Sequence, residues 1–123
     1  MSERPAQPNT RVLPEGRIEV APRAIASLVA HAVARSYGVV GMAPARLRDY
    51  AGQVLRKEDQ HRGIGVHISK DKITIDIYIV VAYGTRISEV AQQVLATVSY
   101  ALQRSLGLPV AAINVHVQGV RAQ

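Results

Sequence analysis

The sequence predicts an α/β (α+β) fold: a two-layer sandwich whose small mixed sheet carries two long helices and one shorter helix on one face. Three observations predict it. First, apolar residues alternate on both sides of a short turn between Ile64 and Ile79, as in a half-buried β-hairpin. Second, the segments beginning at Pro22 and Thr85 place apolar residues three and four apart, so each helix buries one stripe. Third, 44 of the 59 apolar residues among 123 are Ala, Val or Ile, with no Trp or Phe, so the core is built from small and β-branched side chains. Strands with one apolar face and helices with one apolar stripe bury both by packing as two layers.

Residues 1–15 hold Pro5, Pro8, Pro14 and mixed charges without periodicity, which predicts a disordered N-terminal tail. A single α/β domain is expected over 16–121. It opens with a short strand, Arg17-Ile18-Glu19-Val20. Pro22 suits the first turn of a helix whose apolar stripe is Ile25, Leu28, Val29, Ala32 and Val33. Gly38 ends it near Tyr37. Gly38-Val39-Val40-Gly41-Met42 reads as a brief buried strand or a tight passage under that helix. Leu47, Tyr50, Ala51, Val54 and Leu55 then predict a helix of about three turns within 44–56, and Lys57 to Arg62 a charged loop.

In the hairpin, a Lys70-Asp71 loop puts Ile68 opposite Ile73, Val66 opposite Ile75 and Ile64 opposite Ile77. That register gathers every Ile and Val of the pair on one face, and a slip of one residue would destroy it. Thr85 is placed to cap the next helix, whose apolar face is Ile87, Val90, Ala91, Val94, Val98, Ala101 and Leu102. Gly107 and Pro109 close it. Val110 to Val117 is the last strand. The other sheet face then carries His67, Thr74, Asp76, Tyr78, Asn114, His116 and Gln118.

Several function classes lose their chemistry at once. With no cysteine there is no disulfide, thiolate nucleophile or Cys-ligated metal. The longest apolar run, Ile77 to Tyr83, is far shorter than the roughly 20 residues of a membrane helix, and the N-terminus lacks the apolar stretch of a secretory signal. A soluble cytosolic protein is the expectation. The serines sit on helices or a plain turn, G-x-S-x-G is absent, Gly84-Thr85 lacks the lysine of a phosphate loop, and Gly63-x-Gly65 lacks the third glycine of a dinucleotide fingerprint. No catalysis and no cofactor are expected.

Fifteen basic against nine acidic residues give a net charge of +6, which favours phosphate-rich partners. The charges are scattered, however, and 44–62 holds five basic and three acidic residues. Arg46, Arg48, Arg56, Lys57 and Arg62 are the candidates for contact with nucleic acid or anionic lipid; a solvated helix face explains the same residues. Gly38-Val39-Val40-Gly41 matches the G-x-x-G of KH domains in form, but two valines bury backbone rather than hold phosphate. His67, Asp76 and His116 would converge as an acid–base or metal site only if the last strand lay beside the hairpin. Asp76 is opposite Gly65 in the expected register, not His67, and no H-x-x-x-H spacing occurs. Polar residues on a solvated or interface-forming sheet face are the plainer explanation. The candidate partner surface is therefore His67, Asp76, Tyr78, Asn114 and His116 together with the basic segment.

From Gly16 onward the sequence resembles the alkaline-shock-protein family of Gram-positive-type bacteria. The resemblance rests on Gly16-Arg17-Ile18-Glu19-Val20, Tyr37-Gly38-Val39-Val40-Gly41-Met42, Gly63-Ile64-Gly65-Val66-His67-Ile68 and Ile75-Asp76-Ile77-Tyr78-Ile79-Val80-Val81-Ala82-Tyr83-Gly84. It continues through Ile87-Ser88-Glu89-Val90-Ala91, Gly107-Leu108-Pro109-Val110 and Ile113 to Val120. Lys70-Asp71-Lys72 departs from it where a glycine is expected, and the acidic tails of some relatives are missing. The resemblance implies a compact α/β domain without catalytic residues. It also implies links to envelope stress, to a small membrane anchor protein and to lipid metabolism. The expected function is thus a scaffold or adaptor acting by protein–protein contact, self-associating through the sheet face and held at the inner membrane surface by a partner. Nucleic-acid binding through 44–62 is the alternative.

Overall fold

The computed structural model describes residues 7–43, 63–69, 72–107 and 110–122. Its elements are β1 (Thr10–Leu13), β2 (Gly16–Glu19), α1 (Pro22–Ala34), β3 (Val39–Met42), β4 (Ile64–Ser69), β5 (Lys72–Ala82), α2 (Ile87–Ser105) and β6 (Ala112–Arg121). The expected helix within 44–56 and the loop to Arg62 lie outside the described residues.

β5 is the centre of the main sheet. β4 pairs with it antiparallel in the register the alternation dictates, Ile68↔Ile73, Val66↔Ile75 and Ile64↔Ile77. β3 pairs antiparallel with the later part of β5, from Val39↔Val81 to Met42↔Ile79. β6 pairs parallel with β5 from Thr74↔Ala112 to Ala82↔Arg121. The sheet is therefore mixed, with β3 and β4 end to end on one edge of β5 and β6 on the other. The β5–α2–β6 unit is a parallel crossover through a helix, which a parallel pair needs.

One residue joins the two short edge strands. The Tyr78 N–H donates to the Gly63 carbonyl at 2.8 Å, and the Ala43 N–H donates to the Tyr78 carbonyl at 3.1 Å. Ala43 and Gly63 thus meet β5 at the same residue. Gly63 is obligatory there. Its φ is +65°, and a Cβ would stand 2.7 Å from the Ala43 carbonyl oxygen and 2.9 Å from that of Tyr78.

The core lies between the sheet and the two helices. Ile73, Ile75, Ile77, Ile79 and Val81 point into it and are fully buried, as are Ile25, Val29 and Val33 of α1 and Val94 and Val98 of α2. Helix α1 packs over β3 and β4, and α2 packs over β6 and against α1. Gly38 lies at this junction with φ +85°, and its missing Cβ would stand 2.6 Å from Val90 Cγ2.

Four sequence expectations are corrected. Residues 10–13, expected within a disordered tail, form β1 and pair with β2 from Thr10↔Glu19 to Leu13↔Gly16. Asn9 anchors that hairpin: its side-chain amide donates to the Val20 carbonyl at 2.9 Å, and the Val20 N–H donates to the Asn9 carbonyl at 2.9 Å. Helix α1 ends at Ala34, short of Tyr37, because Ser36 turns its hydroxyl onto the Ala32 carbonyl and its N–H onto that of Val33. Thr85 does not cap α2; its hydroxyl donates to the Ala82 carbonyl at 2.7 Å, and Arg86 takes the cap position. The last strand begins at Ala112 and runs to Arg121, carried onward by a bulge at Gln118 between Val117 and Gly119.

Candidate functional site

Both described helices cover one face of the sheet. The other face carries the even-numbered residues of β5, because side chains alternate along a strand. Asp76 sits at its middle, with Gly65 of β4 on one side and Asn114 of β6 on the other. The parallel placement of β6 brings the candidate residues together. The Asn114 amide donates to Asp76 Oδ1 at 3.1 Å, and His116 Nε2 donates to the same oxygen at 3.0 Å. His67 Nε2 lies 3.1 Å from Oδ2. The Tyr78 and His116 rings stack with centroids 4.6 Å apart and an interplanar angle of 13°. All five described candidates, His67, Asp76, Tyr78, Asn114 and His116, thus form one patch. Arg46, Arg48, Arg56, Lys57 and Arg62 lie outside the described residues.

His67 is not the cross-strand neighbour of Asp76; Gly65 is. The imidazole reaches the carboxylate by lying over Gly65, where a Cβ would stand 3.2 Å from its Nε2. The glycine's role is open space rather than backbone freedom. Sequence reading missed it because Gly65 counted only as the polar-side partner in an alternation.

The Asp76 side chain is 17% exposed, against 67% for His67 and 40% for His116. Partial burial pushes its carboxyl up. That push is outweighed by the hydrogen bonds from His116 and Asn114 and by the charges of His67 and His116, so the carboxyl titrates below its ordinary value. The two imidazoles each direct Nε2 at a different oxygen of one carboxylate. This is a hydrogen-bonded bridge rather than a cage; among the described residues no three His, Cys, Asp or Glu side chains are arranged to hold a metal ion.

Two further features had no signal in the sequence. Arg121, opposite Ala82 on the same sheet face, carries its guanidinium across β5 to within 3.9 Å of where a Cβ on Gly41 would be. An open groove of about 810 Å³ lies just past the end of β5, between Tyr37 after α1, Gly84 and Thr85, and Glu89 and Gln93 of α2. None of the patch residues lines it. Gly38-Val39-Val40-Gly41 enters strand β3 rather than a loop between helices. Gln118, expected on the open face, is the residue that the β6 bulge leaves without a partner in β5.

No described helix is long and apolar enough to cross a membrane. The profile of the alkaline shock protein 23 family, described as having a cell envelope-related function, matches residues 11–122. The chain is 42% identical over 107 residues to the uncharacterized protein YloU of Bacillus subtilis, covering 86% of this chain and 89% of that one. It is 35% identical over 108 residues to the uncharacterized protein Spy1614 of Streptococcus pyogenes, covering 87% and 89%. Identity to the uncharacterized protein YqhY of Bacillus subtilis is 32% over 108 residues, covering 86% and 78%. No solved structure matches the chain. With nearly every residue from β1 to the end of β6 inside the matched region, the chain belongs to the alkaline shock protein 23 family, whose function relates to the cell envelope.

Proposed function

We propose that the chain is a non-enzymatic scaffold or adaptor of the cell envelope, working by protein–protein contact through the open sheet face around Asp76. The observation that carries this is the patch itself. Three donors converge on one carboxylate beside a stacked aromatic pair, on the sheet face that neither described helix covers. A fixed array of polar groups around a ring pair suits recognition of another protein's surface, where aromatic residues supply contact area and polar groups set orientation. Catalysis is less well supported, because the patch has no nucleophile beside a base and the described groove lies elsewhere. Recruitment to the inner membrane surface falls to a partner in this account, as does any link to lipid metabolism.

One observation favours a second reading, nucleic-acid binding through Arg46, Arg48, Arg56, Lys57 and Arg62. Ala43 and Gly63, the described residues that flank those positions in sequence, both bond the backbone of Tyr78 in the patch. A tagged pull-down from the native cell, split into nuclease-treated and untreated halves, separates the two. The scaffold role expects nuclease-resistant capture of an envelope or lipid-metabolic protein. Capture that collapses with nuclease, or that weakens steeply as salt rises, supports nucleic acid instead.

A further inference from the structure

The outer edge of β6 is where two copies of this chain meet: we infer a two-fold dimer in which β6 pairs antiparallel with β6 of a second copy, extending one sheet through both. Tyr78 directs its backbone groups toward Gly63 and Ala43, on the β3–β4 side. Its odd-numbered neighbours in β5 therefore direct theirs toward β6. The β5–β6 register then leaves the N–H and C=O groups of Ile113, Val115 and Val117 pointing away from the sheet. Among the described residues no strand pairs with that edge.

Open edges are ordinarily guarded by lysine, proline, inward charge or short length. The opposite edge is broken into two strands of 4 and 6 residues. β6 runs for 10 residues with no Pro, Lys, Asp or Glu, and its one charge, Arg121, is at the end. Within β6 itself the one guard is the bulge at Gln118.

The helix layer extends the same surface. On α2, residues on either side of Val94 project to opposite flanks, about 100° each way. Gln93 faces Tyr37 and the α1 side. Leu95 faces away from α1, over β6, and is 40% exposed. Below it lie the half-buried Val115 and Val117, and Val120 is 49% exposed. The result is an apolar flank bordering an unpaired strand.

Charge selects the occupant. The chain carries +6, so two copies repel over most of their surfaces. Arg11 and Arg17 are on the β1–β2 hairpin, Arg23 and Arg35 on or just after α1, and Arg86 and Glu89 line the groove on the α1 side of α2. Ala43 and Gly63 bond Tyr78 at the far edge of the sheet. Along β6 itself the one formal charge is Arg121 at the end, so this edge suits a second copy of a basic chain and gives an acidic partner little to pair with. Antiparallel pairing centred on Val115 keeps the apolar faces together. It sets Asn114 of one copy opposite His116 of the other, whereas centring on His116 would oppose two imidazoles.

The test is sedimentation of the full chain from micromolar to millimolar concentration, with Leu95→Lys, Tyr100→Lys and Val115→Cys variants. Both lysine substitutions fall on exposed positions, and circular dichroism checks their folding. A dimer is expected for the unaltered chain and for Tyr100→Lys, with the dissociation constant raised at least tenfold by Leu95→Lys. Because the chain has no other cysteine, Val115→Cys cross-links only between copies. A short thiol-reactive linker should join them, since the two Cα atoms would be about 5.5 Å apart. That measurement stands even if Leu95→Lys fails to fold. A monomer at every concentration, a dimer unmoved by Leu95→Lys, the absence of Val115 cross-links, or a β6 edge that pairs only with a strand of another protein overturns the proposal.

Discussion

Replacing Asp76 with alanine removes the one acceptor shared by His67, His116 and Asn114. The three contacts are not equal. His116 and Asn114 share an oxygen of a side chain that is only 17% exposed, whereas His67 is itself 67% exposed and its pairing is screened by water. Exposed ion pairs contribute about 0.2–1 kcal/mol, and hydrogen bonds to a charged group about 1.5–3 kcal/mol where they are sheltered. With the donors half in water and part of the gain spent on burying the carboxylate, Asp76→Ala should cost about 2 kcal/mol at pH 7. For a domain of this size that lowers the melting temperature by roughly 10 °C.

The pH dependence gives the same experiment a sign. The folded Asp76 carboxyl titrates below its ordinary value of 3.8. Its stabilisation is therefore fully present above that value and is lost as pH falls through the lower, folded one. Urea denaturation of both chains at pH 7 and near pH 3 should show the gap between them narrowing in acid. Equal midpoints at pH 7, or a gap as wide at pH 3 as at pH 7, would refute the claim that the bridge stabilises the sheet face.

Three other substitutions probe separate links in the structure. Gly65→Val fills the space under the His67 ring, so NMR should show the His67 resonances move while those of His116 hold. Gly63→Ala forces a Cβ against two carbonyl oxygens at positive φ and should destabilise by about 3 kcal/mol, measured by urea unfolding. Ile77→Ala empties a fully buried site at the centre of β5 and should cost about 2–5 kcal/mol by the same assay.

The fold was legible wherever a local pattern fixes it. The β4–β5 register follows from alternation alone, because any slip would turn Ile73, Ile75 and Ile77 into water. The helices follow from their stripes. β1 was hidden because Thr-Arg-Val-Leu between two prolines has no alternation, and its pairing comes from β2 and from Asn9. The cap at Thr85 failed because the hydroxyl found a nearer carbonyl at Ala82. The patch was legible as a set of polar residues on one face but not as a cluster. Convergence needs β6 beside β5, a tertiary fact that no local spacing encodes, and it needs Gly65 to let His67 reach diagonally. Arg121 escaped notice for the same reason, since its approach to Gly41 spans three strands.

The central claim is that the open sheet face meets another protein. A photo-reactive amino acid at position 67, on the exposed rim of the patch, tests it in the native cell against the same residue at Arg23 on α1. The account predicts covalent adducts with a discrete envelope protein from position 67 and none of that product from position 23. Adducts only with nucleic acid, or the same products from both positions, would contradict it.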